Sequence, residues 1–103
     1  MEAFAALSDP TRRHIVELLA DGERSAGELA RKFTLTQPAV SQHLRTLRDA
    51  GLVRVRRDAQ RRIYSIDGRG LARIDEWLSR YRNFWNARLD ALERALHDKD
   101  EDS

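Results

Sequence analysis

Four side chains in the middle of the chain, Gln37, Ser41, Gln42 and Arg45, can each hold a hydrogen bond to the edge of a nucleic-acid base, and their helical spacing gathers them on one face. Gln pairs bidentately with adenine, Arg with guanine or a phosphate, and Ser with several partners. No acidic residue lies between Thr34 and Leu47, so nothing on that face repels phosphate. A merely solvated helix more often carries Glu and Lys there. Catalytic chemistry finds no comparable grouping. His14, His43 and His97 are scattered, no Ser is paired with a base at useful spacing, and no glycine-rich phosphate loop occurs. The absence of Cys removes disulfides, thiolate metal sites and thiol nucleophiles. The chain is therefore expected to bind rather than to catalyse, with no catalytic residue, metal ligand set or cofactor.

The helix that displays those four residues is predicted over 37–50. Thr36 caps its start, Pro38 is tolerated in its first turn, and Gly51 is placed to take the left-handed conformation that ends it. Val40, Leu44 and Leu47 point inward, and His43, lying between buried positions, is expected to pack or to bond the backbone. A shorter helix precedes it across a tight turn. Its start is a capping box, Ser25-Ala26-Gly27-Glu28, and its buried stripe is Leu29, Ala30 and Phe33. Before that, Asp9 and Pro10 open a helix that buries Ile15, Leu18 and Leu19 and ends at Asp21-Gly22. Phe4 and Leu7 belong to a short helix at the N-terminus.

After Gly51, Leu52 to Arg56 alternates Val53 and Val55 with Arg54 and Arg56, the pattern of a half-buried strand. Arg61 to Ile66 supplies its antiparallel partner across Asp58-Ala59-Gln60. The buried side of that second strand is ambiguous, because Ile63 and Ile66 have opposite parity. Arg57, Arg61 and Arg62 crowd the tip, a clustering that repels itself unless an anion lies nearby.

Charge is distributed unevenly. The net value is only +2, yet residues 24–69 hold eleven Arg and Lys against four Asp and Glu, while both flanks are acidic. Charge alone does not separate a surface that faces a polyanion from one that faces water; the confinement of the net positive charge to the segment with the hydrogen-bonding helix favours the polyanion. With 103 residues, 41% of them hydrophobic and 35% charged, the chain makes one domain, residues 1–97, followed by an acidic disordered tail, 98–103. The N-terminus lacks a basic stretch before an apolar core, and no apolar run approaches the roughly 18 residues of a membrane span. A soluble cytoplasmic protein with no membrane partner is expected.

A long helix from about Leu71 to Leu96 closes the chain. Trp77, Tyr81, Phe84, Trp85, Leu89 and Leu92 recur on it at three- and four-residue spacing. At ~1.5 Å per residue it outruns the diameter of a domain this small, so one body cannot bury the whole stripe. A second copy covers it most simply, and an aromatic-lined ligand cavity is the alternative; the two can coexist.

The order helix, helix, turn, helix, hairpin, helix, with positive charge on the helix-turn-helix and the hairpin, describes a mainly α winged helix-turn-helix with a small β-hairpin wing. Ala6-Leu-Ser-Asp-Pro-Thr-Arg-Arg13, Gly27-Glu-Leu-Ala30, Gln37-Pro-Ala-Val-Ser-Gln-His-Leu44, Leu47-Arg-Asp-Ala-Gly-Leu-Val53 and Ile63-Tyr-Ser-Ile66 together resemble the arsenic-repressor (ArsR) family of bacterial transcription regulators. The resemblance implies a homodimer through the terminal helices, including Phe4, that binds an inverted-repeat operator on double-stranded DNA and represses until a signal releases it. It maps base reading onto Gln37, Ser41 and Gln42 with Arg45 beside them; Thr36 is expected to bind phosphate, and the wing, residues 52–67, with Arg57, Arg61 and Arg62, to lie on the backbone or in the minor groove. Relatives often carry glycine where Thr34 stands in the turn and at the wing tip. Metal-sensing relatives carry Cys, or Asp and His sets, where this chain has Ser25-Ala26-Gly27 and Asp75-Glu76-Trp77, so a metal-independent branch is expected, with any small-molecule inducer not identified by the sequence.

Overall fold

The computed structural model describes the backbone of residues 2–101 and the side chains of residues 2–99. Helix α1, Glu2–Ala6, and helix α2, Pro10–Ala20, are joined by a short loop whose Asp9 side chain accepts the Arg12 amide at 3.0 Å. The first turn of α2 also finishes α1. Arg12 Nε donates to the Ala6 carbonyl at 2.5 Å, and Arg13 Nη1 to the Leu7 carbonyl at 2.9 Å, satisfying oxygens that a helix end leaves open. Strand β1, Arg24–Ser25, leads into helix α3, Ala26–Phe33, through the capping box: the Ser25 hydroxyl accepts the Glu28 amide and the Glu28 carboxylate accepts the Ser25 amide.

Helix α4, Gln37–Asp49, follows α3 across Thr34, Leu35 and Thr36. The two helices end alike. Thr34 is left-handed, φ 55° and ψ 40°, with the Leu35 amide donating to Ala30 and the Thr34 amide to Arg31; Gly51, φ 73°, repeats the pattern with Leu52 donating to Leu47 and Gly51 to Arg48. Only one of the two has the residue that adopts this conformation without strain.

Strands β2, Val53–Asp58, and β3, Arg61–Ile66, form the hairpin, and β3 also pairs with β1, so the sheet runs β1-β3-β2, all antiparallel. The hairpin loop is Ala59-Gln60 alone, because Asp58 is paired with Arg61, and Ala59 takes φ 57°. The two-stranded wing expected from the sequence thus has a third strand, too short for its own alternation to register. That strand resolves the parity of Ile63 and Ile66. Val53, Val55, Tyr64 and Ile66 share the face that meets the core, whereas Ile63 lies on the other face and is buried beside its β1 partner Ser25.

Ile15, Leu29, Val40, Leu44, Leu47, Leu52 and Val53 are fully buried and make the centre of the body. Leu18 and Phe33, predicted inward, lie half-buried at its margin. Helix α5, Gly68–Glu101, starts against this core. The Gly70 amide donates to the Gly51 carbonyl at 2.8 Å, and the buried Asp67, whose amide donates to Leu52, grips Arg69 through both carboxylate oxygens. Beyond Ile74, every described side chain of α5 is exposed. The helix begins earlier and ends later than its apolar stripe, running through Asp98 to Glu101, residues expected in a disordered tail. Asp102 and Ser103 lie outside the described residues.

Candidate nucleic-acid interface

Helix α4 presents Gln37, Ser41, Gln42 and Arg45 to solvent while Val40, Leu44 and Leu47 hold its other face in the core. Thr36 caps it: its hydroxyl oxygen accepts the Ala39 amide at 3.3 Å and its carbonyl the Val40 amide, and since Pro38 has no N–H, the Thr36 hydroxyl hydrogen and the Gln37 amide are what this helix start can offer an anion. Three grooves meet at Ser41. One, of about 650 Å³, runs between the start of α3, the start of α4 and the hairpin tip, where Gln37 and Ser41 face Arg31, Arg61 and Arg62. A second, of about 440 Å³, lies along α4 itself between Ser41, Gln42 and Arg45. A third, of about 360 Å³, separates α4 from β3 and is bordered by Arg45, Arg48 and Arg62. Gln37, Ser41, Gln42, Arg45, Arg61 and Arg62 are thus brought onto one surface, whereas Thr36 and Arg57 border none of these grooves.

The register of the hairpin sets the charge at its tip. Arg57 stands directly across from Arg62, two like charges on neighbouring strands, an arrangement that destabilises a sheet unless something neutralises it. Neither makes an ion pair among the described residues, nor do Arg31, Arg45 or Arg48. Other cations of the segment are occupied: Arg56 binds Glu23 at 2.6 Å, Arg69 binds Asp67 at 2.6 Å, and Arg61 stands 3.8 Å from Asp58. Acids also line these grooves, Glu28 the first and Asp49 the other two, and the charge of Glu28 is committed. The Ser25 amide and hydroxyl, with Arg24 and Arg61 farther off, hold its carboxyl below the ordinary glutamate range.

Comparison with known proteins agrees with this geometry. The profile of the arsR family of bacterial regulatory proteins matches residues 9–55. The HTH-type transcriptional regulator Rv2034 of Mycobacterium tuberculosis is 43% identical over 101 residues, covering 98% of this chain and 92% of that protein. The transcriptional repressor SdpR of Bacillus subtilis is 36% identical over 80 residues, covering 78% of this chain and 89% of its own. The chain belongs to the ArsR family. Among solved structures, the solution structure of the homodimeric winged helix-turn-helix DNA-binding domain of Mb0332 from Mycobacterium bovis superimposes with a TM-score of 0.66 at 30% identity, covering 80% of this chain and 76% of that one.

As an ArsR-family transcriptional regulator the protein carries the winged helix-turn-helix that its sequence predicts, and the recognition helix and wing of that fold are α4 and the β2–β3 hairpin. Three residues on the surface escape a reading of sequence alone. Arg31 arrives from α3, Gln60 from the hairpin loop, and Arg48 from one turn beyond Arg45. Arg48 was detectable from its three-residue spacing; Arg31 and Gln60 reach the grooves only through the packing of α3 and the hairpin. His43, expected to pack or to bond the backbone, is half-buried with Nδ1 4.0 Å from the Asp9 carboxylate. That carboxyl is held below the ordinary aspartate range chiefly by the Arg12 amide, with His43 adding to the effect.

Two further features bear on the candidate residues of α5. Phe4 meets Trp77 edge-on at 5.0 Å, and Trp77 lies 4.7 Å from Tyr81, so α1 and α5 carry one continuous aromatic surface. Trp77, Tyr81, Phe84, Trp85, Leu89 and Leu92 all face solvent in the single chain. Among the described residues no three His, Cys, Asp or Glu side chains gather as a metal site, and no helix is long and apolar enough to cross a membrane.

Proposed function

We propose that this ArsR-family regulator is a homodimeric repressor that binds an inverted-repeat operator in the cytoplasm, with α4 of each protomer in the major groove and the two hairpins on the flanking backbone. Gln37, Ser41 and Gln42 read base edges, Arg45 contacts guanine or a phosphate, and Thr36 binds phosphate through its hydroxyl, with the Gln37 amide beside it. Arg57, Arg61 and Arg62 follow the backbone from the wing. The observation that carries this reading is the opposition of Arg57 and Arg62 across the hairpin, beside a recognition helix whose outward face holds no acid before Asp49. Two identical proteins on a two-fold axis place their recognition helices in successive major grooves about 34 Å apart, which is why the operator is expected to be a palindrome.

The dimer is built from α1 and α5, whose shared aromatic surface has no other cover among the described residues. Metal-independent control is supported by the engagement of the positions where relatives hold metal: Ser25 is committed to its capping box and Asp75 to Arg82. A second reading adds a small-molecule inducer at the aromatic dimer interface, favoured by the wide exposure of Phe84 and Trp85, 50% and 60%.

The test is a mobility shift with the DNA upstream of the gene. The parent is expected to prefer that palindrome over random duplex, and Gln42→Ala to lose about 1–3 kcal/mol of discrimination at one base position. Operator affinity unchanged by zinc, nickel or cadmium agrees with metal independence. A parent that prefers no duplex is instead a protein-interaction module on this fold.

A further inference from the structure

The stripe on α5 is broader than a two-helix seam and has a cation inside it. At ~100° of rotation per residue, its large apolar side chains between Leu71 and Leu96 span an arc of ~140°, from Phe84 on one edge to Leu89 on the other. Arg88 falls inside that arc, ~40° from Phe84. Its guanidinium carbon sits 4.5 Å above the Phe84 ring, which in turn meets Trp85 edge-on at 6.0 Å. Arg88 makes no ion pair among the described residues. No Asp or Glu of α5 up to Lys99 falls within the arc. Asp75, Asp90 and Glu93 lie more than ~120° around the helix from Arg88, and Asp75 is bound to Arg82.

The α5 stripe of a second copy therefore offers Arg88 apolar surface and no carboxylate. Closing the dimer over Arg88 strips water from a guanidinium without returning a counter-charge, and the stack on Phe84 recovers only part of that loss. We propose that Arg88, with the Tyr81, Phe84 and Trp85 rings beside it, forms a subsite for an organic carboxylate with an apolar body, and that this class of molecule is the inducer. The planar fork of the guanidinium matches a carboxylate with two parallel hydrogen bonds, and the three rings take up the body. The inference rests on the homodimeric repressor proposed above. A carboxylate held between the two α5 helices releases DNA by favouring an arrangement of the protomers in which the recognition helices no longer match successive grooves.

The experiment uses the full chain and follows Trp fluorescence on titration with decanoate and 1-naphthoate, against decan-1-ol and 1-naphthalenemethanol as neutral counterparts. The two carboxylates separate an aliphatic from an aromatic body. The parent is expected to bind at least one carboxylate tenfold or more tighter than its alcohol, and that carboxylate to weaken binding of the upstream DNA tenfold or more. Arg88→Met keeps the apolar volume and should bring the preference within twofold of unity while sedimenting as the parent does; Arg88→Lys keeps the charge without the fork and should retain part of it. Equal binding of acid and alcohol by a dimeric, DNA-binding parent overturns the subsite alone, as does a preference that survives in Arg88→Met. Dissociation of the Arg88→Met dimer assigns Arg88 to a pair across the interface and also overturns it. Carboxylate binding that leaves operator affinity unmoved overturns the inducer assignment, and a monomeric parent overturns the dimer and the subsite together.

Discussion

Thr34 closes α3 in a conformation that a β-branched side chain resists, and the chain retains it because the turn also has to place Thr36 as the cap of α4. Thr34→Gly is expected to raise stability by about 1 kcal/mol in urea unfolding, since relief of left-handed strain exceeds the added chain entropy of glycine. At the wing tip, Arg57 and Arg62 stand opposite each other as like charges, and in the complex proposed above a DNA phosphate neutralises them. Arg62→Ala should lower the slope of log affinity against log salt by about 1 without changing which palindrome is preferred. Asp67 is buried, and the Arg69 side chain and amide hold its carboxyl at about 2, below the ordinary 3.8. Because the folded value is depressed, this group stabilises the fold above the unfolded value and loses that contribution as pH falls from about 3.8 through about 2. Thermal melts between pH 5 and 2 should show a steeper acid decline for the parent than for Asp67→Asn.

Capping and periodicity made most elements legible. Asp9-Pro10, the Ser25-Glu28 box, and Thr36 with Gly51 mark helix ends through hydrogen bonds a helix cannot make within itself, and those signals are local. Strand β1 was not legible, because two residues carry no alternation; only pairing with β3 makes them a strand. The start of α5 was also hidden. It lies at Gly68, ahead of the apolar stripe, because Asp67 and Gly70 anchor it to the corner between α4 and β2. A Cβ at Gly70 would stand 2.6 Å from the Gly51 carbonyl oxygen and 2.8 Å from a Leu52 methyl, both fixed by the core. Gly70→Ala should therefore cost about 1–3 kcal/mol and weaken operator binding more than that loss of folded protein explains, since it moves α5 against the recognition helix.

In the single chain α5 is long for its body. Its 34 residues rise ~50 Å, and the molecule measures 68 × 25 × 21 Å. The radius of gyration, 19.6 Å, far exceeds the ~13 Å of a compact hundred-residue domain. An apolar face on such an arm is stable in water only when covered. Leu89→Glu, or Trp85→Glu, should convert a dimer to monomers by sedimentation while leaving the melting of the helix-turn-helix body close to the parent's. Operator binding should fall by at least tenfold, because each half-site is then held by a separate molecule.

Local chemistry settled where α2, α3 and α4 begin and end, and that Gln37, Ser41, Gln42 and Arg45 share an outward face, since caps and helical periodicity act over a few neighbouring positions. The folded chain decided what depends on distance in space. It brought Arg31 and Arg62 to the same groove, set Arg57 against Arg62, buried Ile63 on the far side of the sheet and joined the Gly70 amide to the Gly51 carbonyl. None of these is visible along the sequence, because each depends on strand register and helix packing between segments that meet only after the core has closed.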